Sequence, residues 1–213
     1  MRVYFVLGCG RDGTSLVTHA LVKMGCYVGR KEDLIPPNRW NPKGYFEHRE
    51  LVRLNKLIIK DAGLEEYALI AKPIYHTRYE GEMSFWFNKT FQGREKVVLK
   101  DPRFCFTFPV WSKVLFEHLL FCVSVRRYGL DHVRSLFCRN GEPTGICRRV
   151  YEKYCGSRYA LIDEYTQKFP TLRLKYDELI MSVGVAELAS FVGFRGDVAS
   201  LWWDVCDIGL RNR

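Results

Sequence analysis

Short runs of β-branched and aromatic residues alternate along the chain with longer segments whose apolar residues recur every three or four positions. The strand-like runs are Val3–Leu7, Lys96–Lys100, Leu120–Val125 and Leu172–Lys175. Helical periodicity covers Ser15–Met24, Glu47–Asp61, Leu130–Arg139, Ile146–Phe169 and Ala186–Val192, with ends set to within about 2–4 residues. Strands separated by helices cannot pair as hairpins, so the pattern predicts an α/β fold: a central parallel sheet between two helical layers, in three-layer αβα order. No repeat interrupts it and no segment reads as a linker, so residues 1–213 are expected to form a single domain. The stretch Gly29–Gly44 holds Pro36, Pro37, Asn38, Asn41, Pro42 and Lys43, and reads as a long loop ordered by contact. Loops of that length in compact domains usually serve a site, and Lys72–Gly93 is a second candidate of the same kind.

Composition narrows the partners. Among 213 residues, 33 Lys and Arg face 24 Asp and Glu, a net charge of +9, which favours an anionic ligand without choosing one. No apolar run approaches the ~18 residues of a membrane span, and the first strand-like run starts before a signal peptide would fit, so a soluble, cytoplasmic protein is expected. Eight cysteines, at positions 9, 26, 105, 122, 138, 147, 155 and 206, form no C-x-x-C pair and no Cys/His cluster at metal-ligand spacing. They are expected to be reduced core thiols with no metal among them.

The first strand runs into GCGRDGTS (Gly8–Ser15) and then into an amphipathic segment. A strand, a glycine-rich turn and a helix start in series aim backbone N–H groups and the positive end of a helix dipole at one point, which suits a phosphate. Gly8 and Gly13 fit the frame G-x-x-x-x-G-K-[ST], but Thr14 stands where that frame has its lysine. The reach to a γ-phosphate is therefore missing. The cation lies three positions earlier, at Arg11.

The segment GCGRDGTSL resembles the R-x-G-T-[ST]-L stretch with which sulfotransferases hold the 5′-phosphosulfate of 3′-phosphoadenosine 5′-phosphosulfate (PAPS). The resemblance implies the P-loop NTPase-like fold of that family and a donor-binding stretch of Gly10, Arg11, Asp12, Gly13, Thr14, Ser15 and Leu16. Phosphate contacts are implied for the last four, and contact with the phosphosulfate bridge for Arg11. After the third strand-like run, Arg127 precedes Ser135 by eight positions, similar to the family's R-x-P-x-x-x-x-x-S, whose arginine and serine bind the donor's 3′-phosphate. Gly129 replaces the proline of that pattern. An arginine at the carboxyl end of a parallel strand also sits where open α/β sheets bind ligands, and its planar fork suits a phosphate. LRLKYDELI resembles the family's strand followed by Y-[ED]-[DE]-L, which implies adenine contact from Tyr176.

Sulfuryl transfer leaves negative charge on the bridging oxygen, and cations fixed there lower the barrier. VVLKDPRF places Lys100 at a strand end, and its K-D-P resembles a segment whose lysine assists the sulfuryl group in tyrosylprotein and bacterial small-molecule sulfotransferases. Arg11 and Lys100 are the implied cations. The acceptor hydroxyl needs a base. NPKGYFEHREL resembles the bacterial N-P-x-G-Y-[FW]-E signature and implicates Glu47, while Glu32 resembles the tyrosylprotein sulfotransferase base in its distance from Arg11. The two stay unranked. Glu47 also suits the first turn of a helix.

The expected activity is metal-independent in-line sulfuryl transfer from PAPS to a hydroxyl or amine acceptor, whether a small molecule, a glycan or a peptide, with no nucleic acid as partner. The alternatives are a P-loop nucleotide kinase, which needs a metal ligand in place, a non-catalytic basic domain binding nucleotide or nucleic acid, and a relative that binds donor without turnover. The last arises because Ile208–Arg213 leaves little room for the family's C-terminal basic loop, with Arg211 and Arg213 as substitutes.

Overall fold

Strand β1 (Arg2–Leu7) is buried on both faces, with Val3, Phe5 and Leu7 in one hydrophobic cluster and Tyr4 and Val6 in the other. A strand that feeds two cores reads as a continuous apolar run. In the computed structural model, which describes residues 1–128, 132 and 148–206, β1 is central in a four-stranded sheet. Its neighbours are β2 (Lys96–Lys100) and β3 (Leu119–Arg126), and β3 carries β4 (Thr171–Lys175) at the far edge. All three pairings are parallel, with Val3 opposite both Val97 and Leu120, and Cys122 opposite Thr171.

Helices cover both faces, as the alternation of elements predicts. On the side of Tyr4 and Val6 lie α1 (Thr14–Lys23), α7 (Val183–Val192) and α8 (Val198–Val205), through Val17, Leu21, Leu188 and Leu201. On the side of Phe5 lie α2 (Arg49–Asp61), α3 (Glu80–Phe91), α4 (Phe104–Val114) and α5 (Arg148–Thr166). A short α6 (Tyr176–Ile180) follows β4 without a break.

All four predicted strands form, within a residue at each end. Four helices were not legible, α3, α4, the short α6 and α8. The stretch Lys72–Gly93, expected as a loop, contains α3, whose buried Met83, Trp86, Phe87 and Phe91 form an aromatic face. Helix α4 arises from FCFTFPVWSKV, a run of strand-like composition with a proline inside it. Pro109 has no N–H to give the carbonyl four residues back, that of Cys105. That carbonyl accepts from the Tyr165 hydroxyl of α5 instead, at 3.4 Å, so tertiary contact repairs the helix. The expected helix Leu130–Arg139 lies outside the described residues except at His132, as do Ser135, Cys138, Cys147, Arg211 and Arg213.

The sheet order places the crossing from β1 to β2 on one side of β1 and β3 on the other. The carboxyl ends of β1, β2 and β3 therefore frame one crevice, the position at which such sheets hold ligands.

Candidate functional site

The loop leaving β1 is built on backbone conformations that side chains disfavour. Gly10, Arg11 and Gly13 all have positive φ, at 97°, 59° and 91°. Gly13 is required twice over: a Cβ there would sit 2.6 Å from Cδ2 of Tyr176 as well as in a left-handed conformation. The loop then enters α1 at Thr14 with Gly13 as the N-cap, which has no side chain to satisfy the first-turn amides. Those amides and the helix dipole are left for an anion.

Tyr176 joins the loop to the second cationic element. Its ring lies against Gly13, and the guanidinium carbon of Arg127 lies 4.3 Å from the ring centroid. The loop after β1 and the arginine after β3 thus share one wall, and both line a cavity of about 1140 Å³.

Lys100, at the end of β2, points to the other end of the loop. It pairs with the Glu47 carboxylate, and its Nζ lies 3.5 Å from the Ser15 hydroxyl. Both members of the pair are buried, so each charge depends on the other. Glu47 precedes the N-cap His48, so α2 starts two residues later than its pattern predicts and the carboxylate is free of the helix. It enters the cavity instead.

The Gly29–Gly44 stretch closes over this end, as its length predicts. Asn41 donates to the Ser15 hydroxyl at 3.0 Å, Ser15 donates to the Tyr45 carbonyl at 3.4 Å, and Arg11 donates to the Trp40 carbonyl at 3.3 Å. Asn38 shapes the stretch by accepting from the amides of Trp40 and Asn41 and from the Tyr45 hydroxyl, at 2.9, 3.2 and 2.8 Å. Lys43 fastens it to the end of α8 through the Val205 carbonyl, at 3.3 Å.

Of the sequence candidates, Gly10, Arg11, Gly13, Thr14, Ser15, Leu16, Glu47, Lys100, Arg127 and Tyr176 line the one cavity. Two do not. Glu32 sits exposed on a 3₁₀ turn, Lys31–Asp33, because its loop turns the acidic residues to solvent. The Asp12 side chain is buried on the far side of the loop, where its carboxylate accepts from the Cys9 amide at 2.5 Å and the Tyr159 hydroxyl at 2.9 Å. It braces the loop from within.

That inner face also holds His132 and Cys155, neither of which stood out in sequence. His132 Nε2 lies 2.8 Å from Asp12 Oδ1, and Cys9 Sγ lies 3.1 Å from Cys155 Sγ. Burial alone depresses the His132 imidazole, but the Asp12 carboxylate outweighs it and raises the ring to about 10. Burial pushes the Cys9 thiol up, with the contact to Cys155 adding to it.

Further cavity residues had no assigned role in the sequence: His19, Lys56 and Arg158 each lie alone in their segments, and Arg103 closes the K-D-P-R run. His19 stacks on Phe46 with centroids 5.0 Å apart, and burial followed by Lys43 and Lys23 lowers its basicity, keeping it neutral near pH 7. Arg158 is buried over the Tyr154 ring, donating to carbonyls of Tyr154 and Ala68, both at 3.0 Å. Asn55 is the buried hub beneath Lys100: it donates to Asp101 at 2.9 Å and accepts from Thr107 and Trp111, both at 2.8 Å. Asp101 in turn holds Arg103 at 2.9 Å, so the K-D-P-R segment is fixed from below.

The chain is similar in structure to the sulfotransferase domain of the olefin synthase from Synechococcus PCC 7002, with a TM-score of 0.56 at 15% identity over 100% of this chain and 83% of that one. Sulfotransferase STF1 from Mycobacterium tuberculosis H37Rv gives a TM-score of 0.47 at 14% identity, over 95% of this chain and 70% of that one. The first likeness identifies the α/β architecture as a sulfotransferase fold. No protein-family model matches the chain, and no curated protein is similar to it in sequence.

Proposed function

We propose that the protein is a sulfotransferase that moves a sulfuryl group from PAPS to a hydroxyl or amine acceptor. The observation that carries this reading is the Gly13–Tyr176–Arg127 contact. It sets uncapped main-chain amides and a guanidinium on one cavity, which supports a ligand with two anionic ends such as a 3′,5′-bisphosphorylated adenosine. The sulfotransferase fold of the chain supports the same class.

In this reading the amides of Gly13, Thr14, Ser15 and Leu16 bind the 5′-phosphate, Arg127 the 3′-phosphate, and Tyr176 the adenine. Ser135, outside the described residues, is the expected second donor to the 3′-phosphate. The acceptor oxygen attacks sulfur in line and the bond from sulfur to the bridging oxygen breaks. The electron pair stays on the departing 3′-phosphoadenosine 5′-phosphate. Arg11 and Lys100 stabilise that developing charge, and Glu47 takes the acceptor proton. Before donor arrives, Lys100 and Glu47 neutralise each other. An incoming phosphosulfate competes for the ammonium and thereby frees the carboxylate to act as base. Charge neutralisation is thus assigned to side chains and amides.

The test is calorimetric titration with 3′-phosphoadenosine 5′-phosphate, ATP and AMP without added metal. Preference for the 3′-phosphorylated nucleotide is the expected result. Equal affinity for AMP, or binding only of ATP with magnesium, overturns the assignment, the latter in favour of a nucleotide kinase.

A further inference from the structure

Behind the phosphate loop, at the edge of the cavity where Cys9 borders it, lie groups that the transfer chemistry does not use. Cys9, Cys155 and His132 each offer a ligand atom, and these three atoms lie within 4.8 Å of one another. All three residues are buried. Asp12 stands beside them, with Oδ1 3.5 Å from Cys9 Sγ and 2.8 Å from His132 Nε2. Two thiols and an imidazole make a three-donor set with the carboxylate at its edge, and a tetrahedral zinc ion separates its donors by about 3.3–3.8 Å. A bound ion would therefore draw Nε2 and Oδ1, now 2.8 Å apart, and the two thiols, now 3.1 Å apart, slightly away from each other.

The imidazole is held at both nitrogens. Nδ1 lies 2.8 Å from the Arg127 carbonyl and 2.6 Å from the Tyr151 hydroxyl. A histidine that ligates a metal through one nitrogen commonly fixes the other on a backbone carbonyl. Nε2 faces Asp12 and the Gly10 carbonyl, both 2.8 Å away, so it carries a hydrogen that a cation would have to displace. Asp12 is oriented from outside by the Cys9 amide and the Tyr159 hydroxyl. The thiols, 3.1 Å apart, are not bonded to each other, a disulfide being about 2.05 Å.

We infer that Cys9, His132 and Cys155, with Asp12 beside them as the adjacent fourth donor, form a site for a zinc-like divalent cation that ties the phosphate loop to α5 and to the segment after Arg127. Thiolates with imidazole and one carboxylate select zinc over calcium or magnesium. Binding releases the two thiol protons and the Nε2 proton to solvent, and the cation takes the place of the hydrogen that otherwise lies between Nε2 and Asp12. Cys9, His132 and Cys155 come from the loop, from the stretch after β3 and from α5, so their spacing in the chain matches no local metal motif. That is why the cysteines read as plain core thiols. Of its ligands only Cys9 borders the cavity, and the ion would add rigidity to the loop from behind.

The experiment uses the full chain, purified reduced from zinc-supplemented cells and passed through metal-free buffer, with metal content measured by mass spectrometry and thiols counted after unfolding. About one zinc per chain is expected, falling to background in Cys155→Ser and in His132→Ala, and unchanged in Cys26→Ser, a buried thiol on the opposite face of the sheet. Circular dichroism checks that the variants fold. Because a variant may unfold instead, the native chain is also stripped and titrated with cobalt(II). Intense visible bands of a tetrahedral site with sulfur-to-cobalt charge transfer support the site. Absence of both zinc and the cobalt spectrum overturns it. So does zinc kept by both ligand variants, or a count two thiols short in the metal-free native chain, which would mean that Cys9 and Cys155 pair as a disulfide. Metal content does not depend on nucleotide binding, so this result stands apart from the test of PAPS.

Discussion

The two sides of the loop Gly8–Ser15 are made of residues that alternate in sequence yet do opposite things. Toward the cavity the loop presents Arg11, Ser15 and the amides that start α1, with Lys100 and Arg127 within reach. Toward the interior it presents Asp12 and, at the cavity's edge, Cys9, both buried and packed with His132, Cys155 and Tyr159. The open side gathers cations that a ligand must neutralise. The sealed side satisfies its polar groups internally. A loop with three left-handed residues in four positions is strained, and the sealed side supplies the contacts that hold it in shape. Binding and rigidity are therefore separable by mutation, and each substitution below should act on one side only.

The largest effect belongs to the open side. Lys100→Met, made together with Glu47→Gln so that no buried carboxylate is left alone, should lower kcat by about 10²–10³-fold. Affinity for 3′-phosphoadenosine 5′-phosphate should stay within a few-fold, because the role proposed for Lys100 is at the bridge and not at the nucleotide. Steady-state kinetics beside calorimetry separates the two quantities. Undiminished turnover would remove Lys100 from the chemistry and leave the open side as a binding surface alone.

Arg127→Gln comes next, with about 10–100-fold weaker binding of the 3′-phosphorylated nucleotide, the value of one or two charge-assisted hydrogen bonds. AMP has no 3′-phosphate, and its affinity should barely move. An equal loss for both nucleotides would mean that Arg127 only supports the Tyr176 ring.

How far the sequence foretold this division depends on the side. The sheet, its strand boundaries and ten of the site candidates were readable because they lie in short local patterns: a glycine-rich turn after an apolar run, a lysine before a proline, an arginine at a strand end. The sealed side was not readable. Cys9 and Cys155 are 146 positions apart, and nothing near either one announces the other. Asp12 sits inside the local motif and was assigned to ligand binding with its neighbours, but the turn at Arg11 and Gly13 sends its side chain inward. Helix α4 failed for a related reason. Aromatic residues and Pro109 argue against a helix locally, and the carbonyl that accepts from Tyr165 is a fact of the folded state. The same holds for Glu32, whose distance from Arg11 along the chain says nothing about which way its loop faces.

Gly13→Ala tests the boundary between the two sides. The left-handed backbone costs an added Cβ about 1–2 kcal/mol, and the Tyr176 ring 2.6 Å away must also move. Nucleotide affinity should fall by about tenfold. Tyr176→Ala should make the glycine substitution milder, so the double variant binds better than the two single effects predict. Strict additivity would show that the ring and the loop do not share a wall in solution.

Tyr159→Phe should disturb catalysis least, because its hydroxyl meets the open side only at the Arg127 backbone. The hydroxyl donates to Asp12 Oδ1 at 2.9 Å and lies 3.4 Å from the Arg127 carbonyl. Removing it leaves Asp12 to the Cys9 amide and His132, at a cost of about 1.5–3 kcal/mol for a buried hydrogen bond to a charged group. Thermal unfolding should shift down by several degrees while kcat and the donor KM stay at their original values. The comparison turns on that split. If Tyr159→Phe left stability alone and instead weakened nucleotide binding, Asp12 and its partners would be setting the positions of the amides on the open side, and the loop would act as one unit with no separation between its faces.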